Sequence, residues 1–315
     1  MKPKNILVFG ATGQIGRNLV RKLTKENYKV IAVTRNLHRK GYILKTQGNP
    51  GYIDIVEANV FDIEKLRTLI SNCDICINLI GILYEKKNHT FENIHKNFPS
   101  IVSNICREMK IEQFIHISAL GIDDAVESKY AKSKLEGEDS IKKNFPQSTI
   151  LRPSICYSVD DQFTNQLMNL LSVLPVFPLY YKGDTKFMPI HCSDFTEIIF
   201  QIILKKIKSE IIECVGPEKI TFKEIIQYLL SSMNKKRLLI PIPIFFANLS
   251  AIFFELLPKP LLTKDQLKLL KYDNVSSGKY KTNFDFNFNS KLIFKTEIDK
   301  YSYMWKEGGI YSKSD

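Results

Sequence analysis

Long hydrophobic runs are missing from this sequence. Its longest apolar region, residues 238–262, is broken by Pro241, Pro243, Pro258 and Pro260. The piece between Pro243 and Pro258 falls short of the roughly 20 residues that a membrane-spanning helix needs. No spanning segment is expected. Cysteine is sparse and dispersed: the six residues, at 73, 76, 106, 156, 192 and 214, lie mostly inside apolar runs. That placement suits buried thiols in a reducing compartment better than a disulfide framework. Cys73 and Cys76 form a CxxC, yet "CDICINLIG" reads as a strand with no second cysteine pair nearby. Neither a metal nor a redox role is expected of it. Internal repeats are lacking, and so is any nucleic-acid motif or aromatic platform at a recognisable spacing. The opening "MKPKNILVFG" enters an apolar run at once, so no signal or transit peptide is expected.

What is present describes an ordinary globular chain. Its 315 residues are 44% hydrophobic and 25% charged, enough for one large α/β domain or one domain with a smaller lobe. The net charge of +12 is spread over "RNLHRK", "KSKLEGE", "LKKIKSE" and "MNKKR". Such a distribution suits a solvated surface, an anionic membrane face or an acidic partner subunit before it suits nucleic acid.

Read in order, "NILVFG", "KVIAVTR", "YIDIVEANV", "ICINLIG", "QFIHIS" and "STILRP" are strands, and amphipathic stretches lie between them. Strands alternating with helices predict a doubly wound parallel sheet of Rossmann type, with helices on both faces. The predicted organisation is a dinucleotide-binding domain over 1–153 with 186–215 returning to its core. A smaller, mostly helical lobe is expected over 154–185 and 216–275. The tail from 276 to 315, with "NFDFNFNS", is polar and aromatic, a candidate clasp or partner contact.

The first strand-to-helix turn, "VFGATGQIGRNLV", holds Gly10, Gly13 and Gly16. The three serve a tight turn, a close approach of backbone to a pyrophosphate, and close packing of helix on strand. The helix start adds free amides and a partial positive charge. Gly10, Ala11, Thr12, Gly13, Gln14, Ile15 and Gly16 are therefore the candidate phosphate-binding residues. An acidic side chain at the end of the second strand would hold a ribose 2′-hydroxyl. That carboxylate is absent: the strand ends in Thr34 and Arg35. A guanidinium there suits a 2′-phosphate, so NADP(H) is favoured and NAD(H) is the second choice.

"SKYAKSK" places Tyr130 and Lys134 four apart, on one face of a helix. Together "GATGQIG", "INLIG", "YAKSK", "LRPS" and "VGPEKITFKEI" resemble the extended and atypical short-chain dehydrogenase/reductases over nearly the whole chain. More narrowly, "QFIHIS", "MPIHCSDF", "IPIPIFFA" and "LLTKDQLKLLKYDNV" are similar to the branch that contains the dehydrogenase-like accessory subunit of respiratory complex I. That resemblance implies tightly held NADPH, peripheral attachment near the membrane, complex I subunits as partners and no established turnover. In active members of the wider family the tyrosine is the general acid/base, and the lysine lowers its pKa and holds the nicotinamide ribose. A serine or threonine after the fifth strand and an asparagine in the preceding helix complete their site.

Carried onto this chain, these roles fall on Tyr130, Lys134, Ser118 and Asn97. Active extended members carry two hydroxyl residues after the strand; here the second place is Ala119. Asn59, followed by Val60, stands where an aspartate contacts adenine, and Ile80–Gly81 belong to the loop after the fourth strand that lies along the cofactor. Cofactor contacts are thus kept while substrate activation is eroded. The expectation is a nucleotide-holding accessory protein without a metal, peripheral on the cytoplasmic face of a bacterial inner membrane or on the mitochondrial matrix face. The alternatives are an active NADPH-dependent reductase of a quinone-like or small carbonyl substrate, and a nucleotide-sugar epimerase or dehydratase. The apolar 240–258 stretch, carrying four phenylalanines, speaks against the sugar enzyme.

Overall fold

The first apolar run forms strand β1 (Asn5–Phe9), whose side chains alternate between two cores. Ile6 and Val8 enter one, Leu7 and Phe9 the other. A strand apolar on both faces is one that helices cover on both sides. The computed structural model, which describes residues 4–255 and 260–309, bears this out. After β1 come α1 (Gln14–Lys25), β2 (Lys29–Thr34), α2 (Leu37–Lys45), β3 (Ile53–Glu57), α3 (Ile63–Ser71) and β4 (Ile75–Asn78). A π-helical turn (Glu92–Asn97) runs into α4 (Phe98–Glu108), followed by β5 (Gln113–Ile117), α5 (Lys129–Asn144) and β6 (Thr149–Pro153). Then follow β7 (Cys156–Tyr157), α6 (Phe163–Val173), β8 (Val176–Leu179), β9 (Lys186–Phe187), β10 (Ile190–His191), α7 (Cys192–Leu204) and β11 (Ile211–Cys214). The chain continues through β12 (Ile220–Thr221), α8 (Phe222–Ser232), β13 (Leu238–Pro241), α9 (Ile244–Glu255), α10 (Lys264–Leu269), β14 (Lys281–Thr282) and α11 (Phe294–Asp299).

The main sheet has eight strands in the order β14-β11-β6-β5-β4-β1-β2-β3, and its paired neighbours all run parallel. Strand order reverses between β1 and β4, which opens a crevice above their C-terminal ends. Leu19, Val20 and Leu23 of α1 and Phe195, Ile198, Ile199 and Ile202 of α7 cover one face of the sheet. Leu66, Leu69 and Ile70 of α3 and Phe98, Val102 and Ile105 of α4 cover the other. A separate cluster joins α6, α8 and α11 through Leu167, Leu171, Ile225, Leu229 and Ile298.

The π turn has a local cause. Pro99 has no N–H to give the His95 carbonyl four residues earlier, and its ring crowds that oxygen, so the chain opens into a wider turn. The backbone of α5 then approaches so closely that a Cβ on Gly137 would lie 1.9 Å from the His95 carbonyl oxygen. The tail is more than a clasp. β14 pairs with β11 as the outermost strand, and Ser277 donates its amide and its hydroxyl to buried Glu213 (2.8 and 2.6 Å). The apolar 238–262 region divides into β13, paired with β8, and α9; its residues 256–259, including Lys259, lie outside the described residues. No helix among the described residues is long and apolar enough to cross a membrane.

Candidate functional site

The glycine turn closes beneath the head of α1. Gly10 has φ +80°, and the Gly13 amide donates to its carbonyl at 3.0 Å. A Cβ on Gly16 would lie 2.3 Å from that same carbonyl, so only glycine lets α1 seat there. Gly13 caps α1 with no side-chain hydrogen bond, and the first turn carries no acidic residue. The amides at this helix start therefore face outward uncapped, as a phosphate requires. Ala11 and Ile15 pack into the core beneath. Arg17 donates to the Thr12 carbonyl at 2.8 Å and pairs with Asp160. Gln14 reaches Ser158 Oγ at 2.9 Å, tying the loop to the chain beyond β7.

At the end of β2, Thr34 is buried and Arg35 is exposed. The Arg35 guanidinium lies 3.0 Å from His89 Nε2, on a turn that sequence reasoning did not single out. Asn59 is exposed and accepts from the Phe61 amide at 3.1 Å, with Val60 buried beside it. After β4, the buried Asn78 carboxamide receives the Ile80 amide at 3.0 Å, which shapes the Ile80–Gly81 bend.

Lys134 is buried and donates to the Ile117 carbonyl at 3.2 Å. Its Nζ comes so near Gly81 that a Cβ there would stand 3.3 Å away. Burial brings its pKa down to about 8, with Glu138 working the other way. Half-buried Tyr130 has its ring centroid 6.0 Å from that Nζ. Burial, followed by the Asp265 carboxylate, pushes the Tyr130 hydroxyl up to about 12. Asp265, 135 residues away on α10, accepts from Ser128 Oγ (2.8 Å) and from the amides of Lys129 (2.8 Å) and Tyr130 (2.9 Å). It clamps the start of the helix that carries the pair. Ser118 is buried at the end of β5, and its Oγ has no hydrogen-bond partner among the described residues.

Asn97 is not part of this cluster. It is exposed and donates to Asn93 at 3.2 Å, because residues two apart on a helix face different ways. His95 points inward instead. Its Nε2 accepts from the Ile82 amide at 3.1 Å, so Nδ1 carries the proton toward Ser133 Oγ at 3.0 Å, and Ser133 donates to the Tyr130 carbonyl at 2.8 Å. Its ring stacks on Phe91 (5.3 Å) and meets Tyr130 edge-on (5.2 Å). Burial, then Lys134 and His116, lowers its pKa to about 2, so the imidazole is neutral. The histidine stands two residues before the expected asparagine, and nothing in the letters "HKNF" announces a π turn.

Among the described residues no three His, Cys, Asp or Glu side chains converge on a metal position. Cys73 and Cys76 are free and buried, and burial raises both thiols. Glycine turn, uncapped helix start and buried lysine together fit a dinucleotide laid across the switch point. Gly10–Gly16 would hold its pyrophosphate and Lys134 a ribose hydroxyl.

Comparison with known proteins agrees. Residues 10–169 match the family described as NAD(P)H-binding. The chain is 26% identical over 298 residues to the mitochondrial NADH-ubiquinone oxidoreductase 40 kDa subunit of Neurospora crassa, covering 94% of this chain and 77% of that protein. It is 28% identical over 271 residues to the mitochondrial NADH dehydrogenase [ubiquinone] 1 alpha subcomplex subunit 9 of Mus musculus, covering 85% and 72%. The crystal structure of dTDP-glucose 4,6-dehydratase from Bacillus anthracis str. Ames in complex with NAD superposes with a TM-score of 0.69 at 16% identity, over 96% of both chains. That likeness is one of fold. With its glycine turn and its match over half the length, the chain belongs to the NAD(P)H-binding family.

Proposed function

We propose that this protein holds NADPH as a structural ligand, with little or no turnover, and serves as an accessory subunit of a complex I-type assembly. The observation that carries this reading is geometric: the buried lysine is turned to a backbone carbonyl, and no hydroxyl stands at position 119. In an active site a neighbouring lysine lowers the tyrosine pKa toward the working range. Here burial dominates and leaves the hydroxyl at about 12, and Lys134 spends a hydrogen bond on the Ile117 carbonyl. Ala119 supplies no hydroxyl to orient a substrate carbonyl. What supports the cofactor side is an uncapped α1 start, a glycine seat and a lysine beside Gly81. A ligand that binds only the folded chain stabilises it, by about 4 kcal/mol at a thousandfold excess over Kd. Similarity over most of the chain to the two respiratory subunits supports the partner assignment.

Peripheral membrane contact belongs to the same reading. Ile244 (49%), Phe245 (71%), Phe246 (58%), Leu249 (44%) and Ile252 (42%) of α9 are exposed, an unusual density of apolar surface on one helix. Lys223, Lys235, Lys236 and Arg237 line a groove that also includes Leu239 of β13.

A second reading, a reductase of a small carbonyl or quinone-like substrate, draws on one observation. A cleft of about 630 Å³ opens between Tyr84 and a polar face formed by Gln162 and by Asn165, Gln166 and Asn169 of α6, large enough for a small substrate, although neither Tyr130 nor Lys134 lines it. One experiment separates the two. Purified protein is assayed for bound nucleotide and for NADPH oxidation with a panel of quinones and aldehydes, as parent and as Tyr130→Phe. Retained NADPH without turnover is expected. Turnover by the parent that falls at least a hundredfold in Tyr130→Phe would establish the reductase.

A further inference from the structure

Arg35, like Arg21 on Gln47 and Arg107 on Asn104, is held by a neutral partner, and of the three it alone directly follows β2. Arg17 pairs with Asp160, Arg67 with Glu108, and Arg152 with Glu138 and Asp123. Among the described residues Arg35 has no carboxylate within ion-pair distance; its Nη1 lies 3.0 Å from His89 Nε2. A guanidinium can only donate, so the imidazole nitrogen accepts, and the ring is neutral with its proton on Nδ1. Burial, then the Arg35 charge, lowers the His89 pKa, consistent with that state. A neutral partner fixes the direction of the guanidinium without cancelling its charge. Its charge is thus left available to an anion.

The turn that carries His89 is built rather than loose. The backbones of Lys86 and His89 exchange two hydrogen bonds (3.1 and 3.0 Å), with Lys87 in the left-handed region at φ +50°. Glu85 accepts from the Phe91 amide at 2.8 Å, and Asn93 donates to the Asn88 carbonyl at 3.1 Å. The His89 ring meets Phe61 edge-on at 6.2 Å, on the loop that follows Asn59. Thus the segment leaving β4 crosses to the end of β2, and brings the His89 imidazole beside Arg35, with Lys86 and Lys87 on the same turn. Glu85 is engaged with backbone.

We propose that His89 is a specificity residue for the dinucleotide: it aims the Arg35 guanidinium and, with it, forms the receptor for a 2′-phosphate. The inference rests on the reading that the bound nucleotide is NADPH, and it goes further by assigning discrimination to a residue on the turn after β4. An arriving phosphate would take the paired donors of Arg35 and offer the imidazole an acceptor, or a counter-charge for a second proton. NADH has only a hydroxyl there and gains nothing from either.

The test is calorimetric titration of the whole chain, stripped of nucleotide, with NADPH and with NADH, for the parent, His89→Ala and His89→Glu. The parent is expected to favour NADPH. His89→Ala should weaken NADPH about tenfold and leave NADH within twofold. His89→Glu, whose carboxylate pairs with Arg35, should erase the preference, and intact NADH binding will show that the fold persists. If the parent favours NADPH and both variants keep the full ratio, His89 has no part in recognition. Equal loss of both nucleotides in the variants would make His89 a support of the fold, which also overturns the proposal. A parent that binds NADH as well as NADPH would overturn the 2′-phosphate reading itself.

Discussion

Lys134 carries the clearest conflict between stability and function. A lysine that is 3% exposed and held at about 8 binds fewer protons folded than unfolded between pH 8 and 10.5. Stability therefore rises with pH through that window, and below pH 8 the full penalty remains. The shift amounts to about 3 kcal/mol, less whatever local relaxation returns. In the nucleotide-free protein Lys134→Met should accordingly be more stable than the parent at pH 7, by about 1–3 kcal/mol in urea unfolding, and the gap should close by pH 10. On the proposed function the same variant should retain less nucleotide, because the proposed contact of Lys134 with the ribose is gone. A variant less stable than the parent at pH 7 without nucleotide would refute the burial argument.

At the scale of elements, the helix carrying Tyr130 is fastened at two points. Asp265 holds its start, and past its midpoint Glu138, fully buried, meets Arg152 of β6 at 2.7 Å and 2.9 Å. Arg152 also donates to Asp123 at 2.5 Å, and its guanidinium lies 4.5 Å from the ring centroid of Tyr280 in the tail. Burial opposes the charge on Arg152, but Glu138 and Asp123 outweigh it and raise its pKa. A buried pair adds little over an apolar replacement, whereas breaking one half strands a charge. Arg152→Met should therefore cost about 3–5 kcal/mol in chemical denaturation, and Arg152→Met with Glu138→Leu distinctly less. A single-variant loss under about 1 kcal/mol would show that Glu138 finds another partner. The "LRPS" motif thus serves to lock helix, strand and tail together.

On the scale of the whole molecule, the proposed membrane contact rests on the exposed phenylalanines of α9 and the basic groove of Lys223, Lys235, Lys236 and Arg237. Ala247 and Ala251 pack inward with Tyr180 and Leu267 nearby, so the large residues of α9 are left outward. Each basic side chain near an anionic surface contributes about 1 kcal/mol. The parent should sediment with vesicles containing phosphatidylglycerol, and be released at 1 M salt, where the Debye length falls to about 3 Å. Phe245→Asp with Phe246→Asp should abolish sedimentation and shift the melting temperature little, because both rings are already in water. Failure of the parent to bind anionic vesicles at low salt would remove the membrane contact.

The alternation of strands and helices, the glycine turn at the first of them and the Tyr130–Lys134 face were all legible in the sequence. Each rests on neighbours close in the chain: burial on both faces demands apolar strands, and a pyrophosphate seat demands glycines at fixed spacing. The place of Arg35 at the end of β2 was legible for the same reason, because the end of the second strand lies at a set distance from the loop. What tertiary structure decided are the groups that meet across long separations. His95 replaced Asn97 in the site because Pro99 opens a π turn and Gly137 lets α5 close on it, two features that lie 38 residues apart in the chain. Asp265 reached the Tyr130 helix from α10, and His89 reached Arg35 from the turn after β4. No local pattern encodes such meetings, since a side chain's partner is chosen by how layers pack and not by its position along the chain. The pKa of Tyr130 was likewise beyond the sequence: the same two letters, four apart, give a good acid or a poor one according to how much water and counter-charge the fold leaves beside them.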